Sequence, residues 1–94
     1  MRQDTRQAVR AIKERVRADA FLISDEAFAK MVAEVVDAED VKRAVSTARL
    51  VGVFRGEVRG AGYILHGFGM DEEPIEVLCR AGRARVEIAG VSRL

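Results

Sequence analysis

The side chains best suited to chemistry crowd into one stretch, residues 62–80, which holds the sole histidine, His66, the sole tyrosine, Tyr63, and the sole cysteine, Cys79. Imidazole titrates near neutral pH and can take or give a proton, so His66 is the first candidate for acid–base work. Next come Arg80 and Arg85, which flank a tight turn around Gly82 with Arg83 at its tip. Guanidinium groups gathered at one hairpin end can grip a phosphate through paired hydrogen bonds. The candidate catalytic residues are therefore His66, Arg80 and Arg85. For each, a structural alternative stands beside the chemical one. His66 lies between Ile64 and Phe68 in the alternation of its strand. If that side is open, it neighbours Glu76 and Arg80 as an acid or base; if it faces the core, it is a hydrogen-bonded structural residue. The arginines are a phosphate clamp, or a solvated hairpin end neutralised across the strands by Glu76 and Glu87.

A second set of cations lies near the N-terminus. Arg2, Arg6, Arg10, Lys13 and Arg17 fall within roughly 80° of arc on a helix turning 100° per residue. At about 1.5 Å per residue they trace a line near 22 Å long, beside an apolar stripe of Val9, Ile12 and Val16. Such a line suits a polyanion, with binding that weakens steeply in salt. It suits an acidic protein as well, or serves as a solvated face. With Arg83, these five are the candidate nucleic-acid-binding residues.

Other chemistries find little support. One histidine and one cysteine do not make a zinc site, and a lone cysteine has no internal disulfide partner. Asp71, Glu72 and Glu73 form an acidic turn without the spaced oxygen ligands of a calcium loop. The Gly67, Phe68, Gly69 run follows a strand but opens no helix, so it is no dinucleotide fingerprint. Cys79 shares a strand face with Ile75 and Val77, as a small core residue does. No metal and no cofactor are expected.

These residues must be positioned by a small scaffold. A chain of 94 residues, 49% hydrophobic and 33% charged, is a single globular domain spanning 1–94. Residues 6–18 read as a first helix capped by Asp4 or Thr5. Ser24, followed by Asp25 and Glu26, starts a second, in which Phe28, Met31, Val32 and Val35 form a core-facing stripe. Asp37 and Asp40 mark a third start, with Val41, Ala44, Val45 and Ala48 as its apolar face. Residues 21–23 are a short apolar link or a strand end.

Near Arg49 the apolar period shortens from 3.6 residues to 2. Residues 50–54, 63–68, 75–80 and 85–89 then read as strands joined by short hairpin links. The second of these is apolar on both faces, which places it inside the sheet or beneath a partner. The expected fold is α+β: two or three helices within about residues 6–48, packed on one face of an antiparallel meander of about four strands within 49–90. A formal net charge of +1 argues against a dedicated nucleic-acid binder, which is usually far more basic. No apolar run approaches the roughly 20 residues that span a bilayer, and no apolar segment of a signal peptide follows the basic start. A cytoplasmic location is the expectation.

Ser24-Asp25-Glu26-Ala27 with Met31, Ala38-Glu39-Asp40-Val41, Tyr63 with Gly67, and Pro74-Ile75-Glu76-Val77 together follow a pattern. Across residues 21–90 the chain resembles a widespread prokaryotic family of small domains of unknown function allied to the RelE/MqsR-like ribonuclease toxins. The helix histidine of that family is replaced here by Asp25 or Glu26. The resemblance implies a RelE/MqsR-like arrangement, with RNA gripped by cations on the open sheet face and cleaved there without a metal. It also implies an antitoxin protein as partner. On this reading Arg80 and Arg85 stabilise charge on the phosphorane, His66 transfers a proton, and the first-helix cations hold the strand. The alternative function is a non-catalytic interaction module, a homodimer or a domain bound to a partner protein, working through the apolar strand and the sheet edges.

Overall fold

The computed structural model describes the backbone of residues 2–56 and 60–94, and the side chains of residues 5–55 and 61–94. Helix α1 is Arg2–Arg17, followed by strand β1, Phe21–Ile23. Two helices come next, α2 (Asp25–Glu34) and α3 (Ala38–Thr47), then strands β2 (Arg49–Gly56), β3 (Gly60–Phe68), β4 (Pro74–Ala81) and β5 (Val86–Arg93). No helix among the described residues is long and apolar enough to cross a membrane.

The caps explain where the second and third helices start. Ser24 keeps an extended backbone while its Oγ accepts from the Ala27 amide at 3.1 Å, satisfying a donor with no helical partner. At α3 the Asp37 side chain accepts from the Asp40 amide at 2.9 Å, and the Asp40 carboxylate accepts from the Asp37 amide at 3.1 Å. This is a complete capping box built with aspartate. Helix α1 begins earlier than the sequence pattern suggests, at Arg2, so Thr5 lies within it rather than capping it.

The five strands form one sheet in the order β1-β5-β4-β3-β2. Strands β2 to β5 are the expected antiparallel meander. The sheet is nevertheless mixed, because residues 21–23 pair in parallel with β5, Phe21 opposite Val86 and Ile23 opposite Ile88. Three residues are too few to carry an alternation signal, and the partner strand lies at the far end of the sequence.

All three helices cover one face. Leu65, Val77 and Val91 are register partners and all buried, as are Cys79 and Ile88 beside them. Ile12 and Val16 from α1, Met31 from α2 and Val41, Ala44 and Val45 from α3 close over these strands. Helix α3 sits so low on β3 that a Cβ at Gly67 would lie 1.9 Å from the Ala44 carbonyl oxygen. Only glycine admits that approach, and the Thr47 hydroxyl uses it to accept from the Phe68 amide at 2.9 Å.

The expected core stripe of α2 is only partly internal. Met31 and Ala27 are buried, whereas Phe28, Val32 and Val35 are 59%, 63% and 81% exposed. Helix α2 lies along β5 near the sheet margin and buries a narrow face. Helical spacing reports an apolar face without saying what covers it.

Candidate functional site

Strand register places the histidine. Leu65 is buried among the helices, so its neighbour His66 points to the opposite, helix-free face of the sheet. The residue across from it on β4 is Glu76, and His66 Nε2 lies 2.9 Å from Glu76 Oε2. Both side chains are half-buried, 25% and 31% exposed. Across from His66 on the other side, on edge strand β2, stands the exposed Arg49. Opposed residues on neighbouring strands have Cβ atoms about 5 Å apart. Arg49, His66 and Glu76 therefore form one row of cation, imidazole and carboxylate, with Ser92 next in line on β5. Ile64 and Leu78 flank the row on one side, Phe68 and Pro74 on the other.

A bulge makes this row. Counting back from the pair Phe54 opposite Gly62, an unbroken ladder sets Leu50 across from His66. The register instead shifts between Leu50 and Gly52, so that Leu50 meets Leu65 and Arg49 meets His66. The extra residue, Val51, re-aims the guanidinium onto the open face and Leu50 toward the helices. Arg49 was missed in the sequence for this reason. In the sequence Glu76 reads as a neighbour of His66 or as a counter-charge to the hairpin arginines, because its role depends on which way His66 faces.

The arginines proposed with His66 lie elsewhere. Arg80 shares the open face but sits four residues beyond Glu76 on β4, about 13 Å away at roughly 3.3 Å per residue. Its guanidinium carbon lies 4.8 Å from the centre of the Phe54 ring, and its Nε is 3.9 Å from Glu87 Oε1. Phe54 in turn lies flat across Gly62, where an added Cβ would meet its Cζ at 2.1 Å. Arg85 joins Arg80, Leu22 and Glu87 around a hollow of about 280 Å³. Arg83 is exposed in the same turn. The structure thus gathers Arg80 and Arg85 at one end of the sheet and keeps them away from His66.

The first-helix cations are on the other side of the sheet. Arg6, Arg10, Lys13 and Arg17 line a groove of about 650 Å³ with Thr5, Val9, Glu14 and Leu50. The Arg2 side chain lies outside the described residues. Lys13 Nζ donates to the Ala48 carbonyl at 2.6 Å, tying α1 to the approach to β2.

Two further groups bear on what the site can do. Cys79 is fully buried, and burial pushes its thiol up to about 12, so it stays protonated and inert as a nucleophile. Among the described residues, no three histidine, cysteine or acidic side chains come together as a metal cage. The arrangement on the open face is suited to proton transfer at a phosphate: a carboxylate and an imidazole in contact, with a guanidinium alongside. No protein-family model matches the chain, and no curated protein or solved structure is detectably similar to it.

Proposed function

We propose that this chain is a toxin-like, RelE/MqsR-like domain that cleaves RNA on the open face of its sheet without a metal. One observation carries the reading: Arg49, His66 and Glu76 stand side by side on three adjacent strands, with His66 and Glu76 2.9 Å apart. In the reaction, Glu76 takes the proton of a ribose 2′-hydroxyl as its oxygen attacks the adjacent phosphorus. His66, in its imidazolium form, gives a proton to the departing 5′-oxygen. The O2′–P bond forms, the P–O5′ bond breaks, and the products are a 2′,3′-cyclic phosphate and a 5′-hydroxyl. Arg49 neutralises charge building on the phosphorane oxygens. Arg80, Arg83 and Arg85 hold phosphates further along the strand, and an antitoxin-like protein laid over this face would block all of them.

The test is cleavage of a dinucleoside monophosphate and a short oligoribonucleotide by the purified full chain. His66→Ala and Glu76→Gln are each expected to lower the rate roughly 10²-fold or more. A 2′-deoxy substitution at the scissile position should abolish it. Intact RNA with the folded wild type defeats this reading. It would favour the second one, a non-catalytic interaction module, for which the exposed Phe28, Val32 and Val35 of α2 speak.

A further inference from the structure

A cluster of cations faces away from His66. Among the described residues, four cations, Arg6, Arg10, Lys13 and Arg17, share the groove between α1 and Leu50 of β2 with one carboxylate, Glu14. The whole chain carries a formal net charge of only +1, so the remainder is net negative and the charge is segregated. Among the described residues, no ion pair engages Arg6, Arg10 or Arg17. Arg6 with Arg10 and Lys13 with Arg17 are like charges four residues apart, a spacing that destabilises a helix until an anion lies between them.

The lining also says which part of a polyanion fits. Its apolar members, Val9 and Leu50, are aliphatic, and among the described residues no aromatic ring lines it on which a base could stack. What the groove offers is charge along a track, from Thr5 to Arg17, about 18 Å long at roughly 1.5 Å per residue. That matches a sugar–phosphate backbone. Its end meets the sheet edge: Leu50 walls the groove, and Arg49, the preceding residue, stands on the opposite face beside His66. Strand β2 is the outermost strand there, so only its width separates the two faces. A flexible single strand can round such an edge, whereas a stiff duplex cannot.

We infer that the groove between α1 and β2 is a track for the phosphate backbone of single-stranded RNA, which rounds the β2 edge at Arg49 to reach His66 and Glu76. This rests on the RNA-cleaving reading for the destination of the strand, while the track itself is tested by binding alone. The probe is a fluorescein-labelled 12-nucleotide oligouridylate, read by fluorescence anisotropy against full-length His66→Ala protein, which leaves the RNA intact. Binding should weaken with salt along a log–log slope of about 3, roughly 0.7 for each of four cations. Arg6→Glu with Arg10→Glu should weaken it at least tenfold at an unchanged melting temperature. The milder Arg6→Gln with Arg10→Gln pair should fall between. Affinity untouched by these exposed substitutions overturns the track. So does equal binding of a blunt duplex, and so does tighter binding of polyglutamate, which would make an acidic protein the occupant. Cleavage of the dinucleoside monophosphate by wild type, a substrate too short to span both faces, reports separately on the open-face chemistry. Reversal-sensitive oligouridylate binding without that cleavage upholds the track and removes the catalytic reading.

Discussion

Val35 closes α2 with left-handed backbone, φ 56° and ψ 53°, a conformation in which a β-branched side chain crowds its own carbonyl. The position needs that backbone, because the Val35 carbonyl, turned out of the helix, accepts from the Arg93 guanidinium at 3.0 Å. The side chain contributes little in exchange, being mostly exposed. Val35→Gly is therefore expected to stabilise the protein by about 1 kcal/mol, read as a rise of a few degrees in thermal denaturation; a fall would show that Val35 packs against something. At this scale the sequence was legible where side chains act on their own backbone. Ser24 and Asp37 announce their helices by type and spacing. Position 35 did not announce its αL turn, since glycine or asparagine is the usual marker. The orientation of His66 was illegible for a different reason: its strand is apolar on both sides, and only the packing of α3 onto Gly67 decides which side is core.

Helix α3 joins the sheet through its cap as well as its apolar stripe. The Asp40 carboxylate accepts from the Met70 amide at 2.9 Å in addition to the Asp37 amide, linking the helix start to the turn between β3 and β4. The bond from Met70, then that from Asp37, holds Asp40 below its ordinary value of 3.8. A carboxyl depressed on folding stabilises fully above its unfolded value, and the contribution is lost as pH falls through the lower, folded one. Asp40→Asn should cost roughly 1 kcal/mol at neutral pH. Its deficit against wild type should shrink as denaturation is followed below pH 3.8; a constant deficit would mean that charge plays no part. Among elements, the stripe of α3 was legible because every member, Val41, Ala44, Val45 and Ala48, is buried. The stripe of α2 misled because a helix at a sheet margin leaves apolar residues outside. The bulge at Val51 left no mark in sequence, since nothing local distinguishes seven paired residues from seven with one extra, and with it went Arg49.

For the whole molecule, the change of period near Arg49 sufficed to give helices first and sheet after, with one covered face. It could not give the closure of the sheet. Strand β1 has β5 as its strand partner, and the end of α2 is fastened to β5: the Arg93 amide donates to Glu34 Oε1 at 2.7 Å and its Nε to the Glu34 carbonyl at 2.8 Å. The first of these bonds, then Lys30, lowers the Glu34 carboxyl below its ordinary value. The bonds to Arg93 have no local signature, because they join residues 59 apart in the chain. The candidate site divides likewise. The residue types were legible; their grouping, which parts His66 from Arg80 and the α1 cations from both, came from topology.

That closure has a consequence for synthesis. A ribosome delivers residues 21–34 long before the strand they rest on, so these elements emerge with their apolar surface uncovered and wait for β5. Nascent chains arrested with residues up to 81 outside the tunnel should be cut readily by protease, and protection should arrive in one step once residues 86–93 emerge. Protection gained earlier would mean that the helices and the β2–β4 hairpins fold without β5. If the single step is observed, the three helices gain a settled fold only when β5 arrives, and a cell making this domain shelters an unfinished sheet until then.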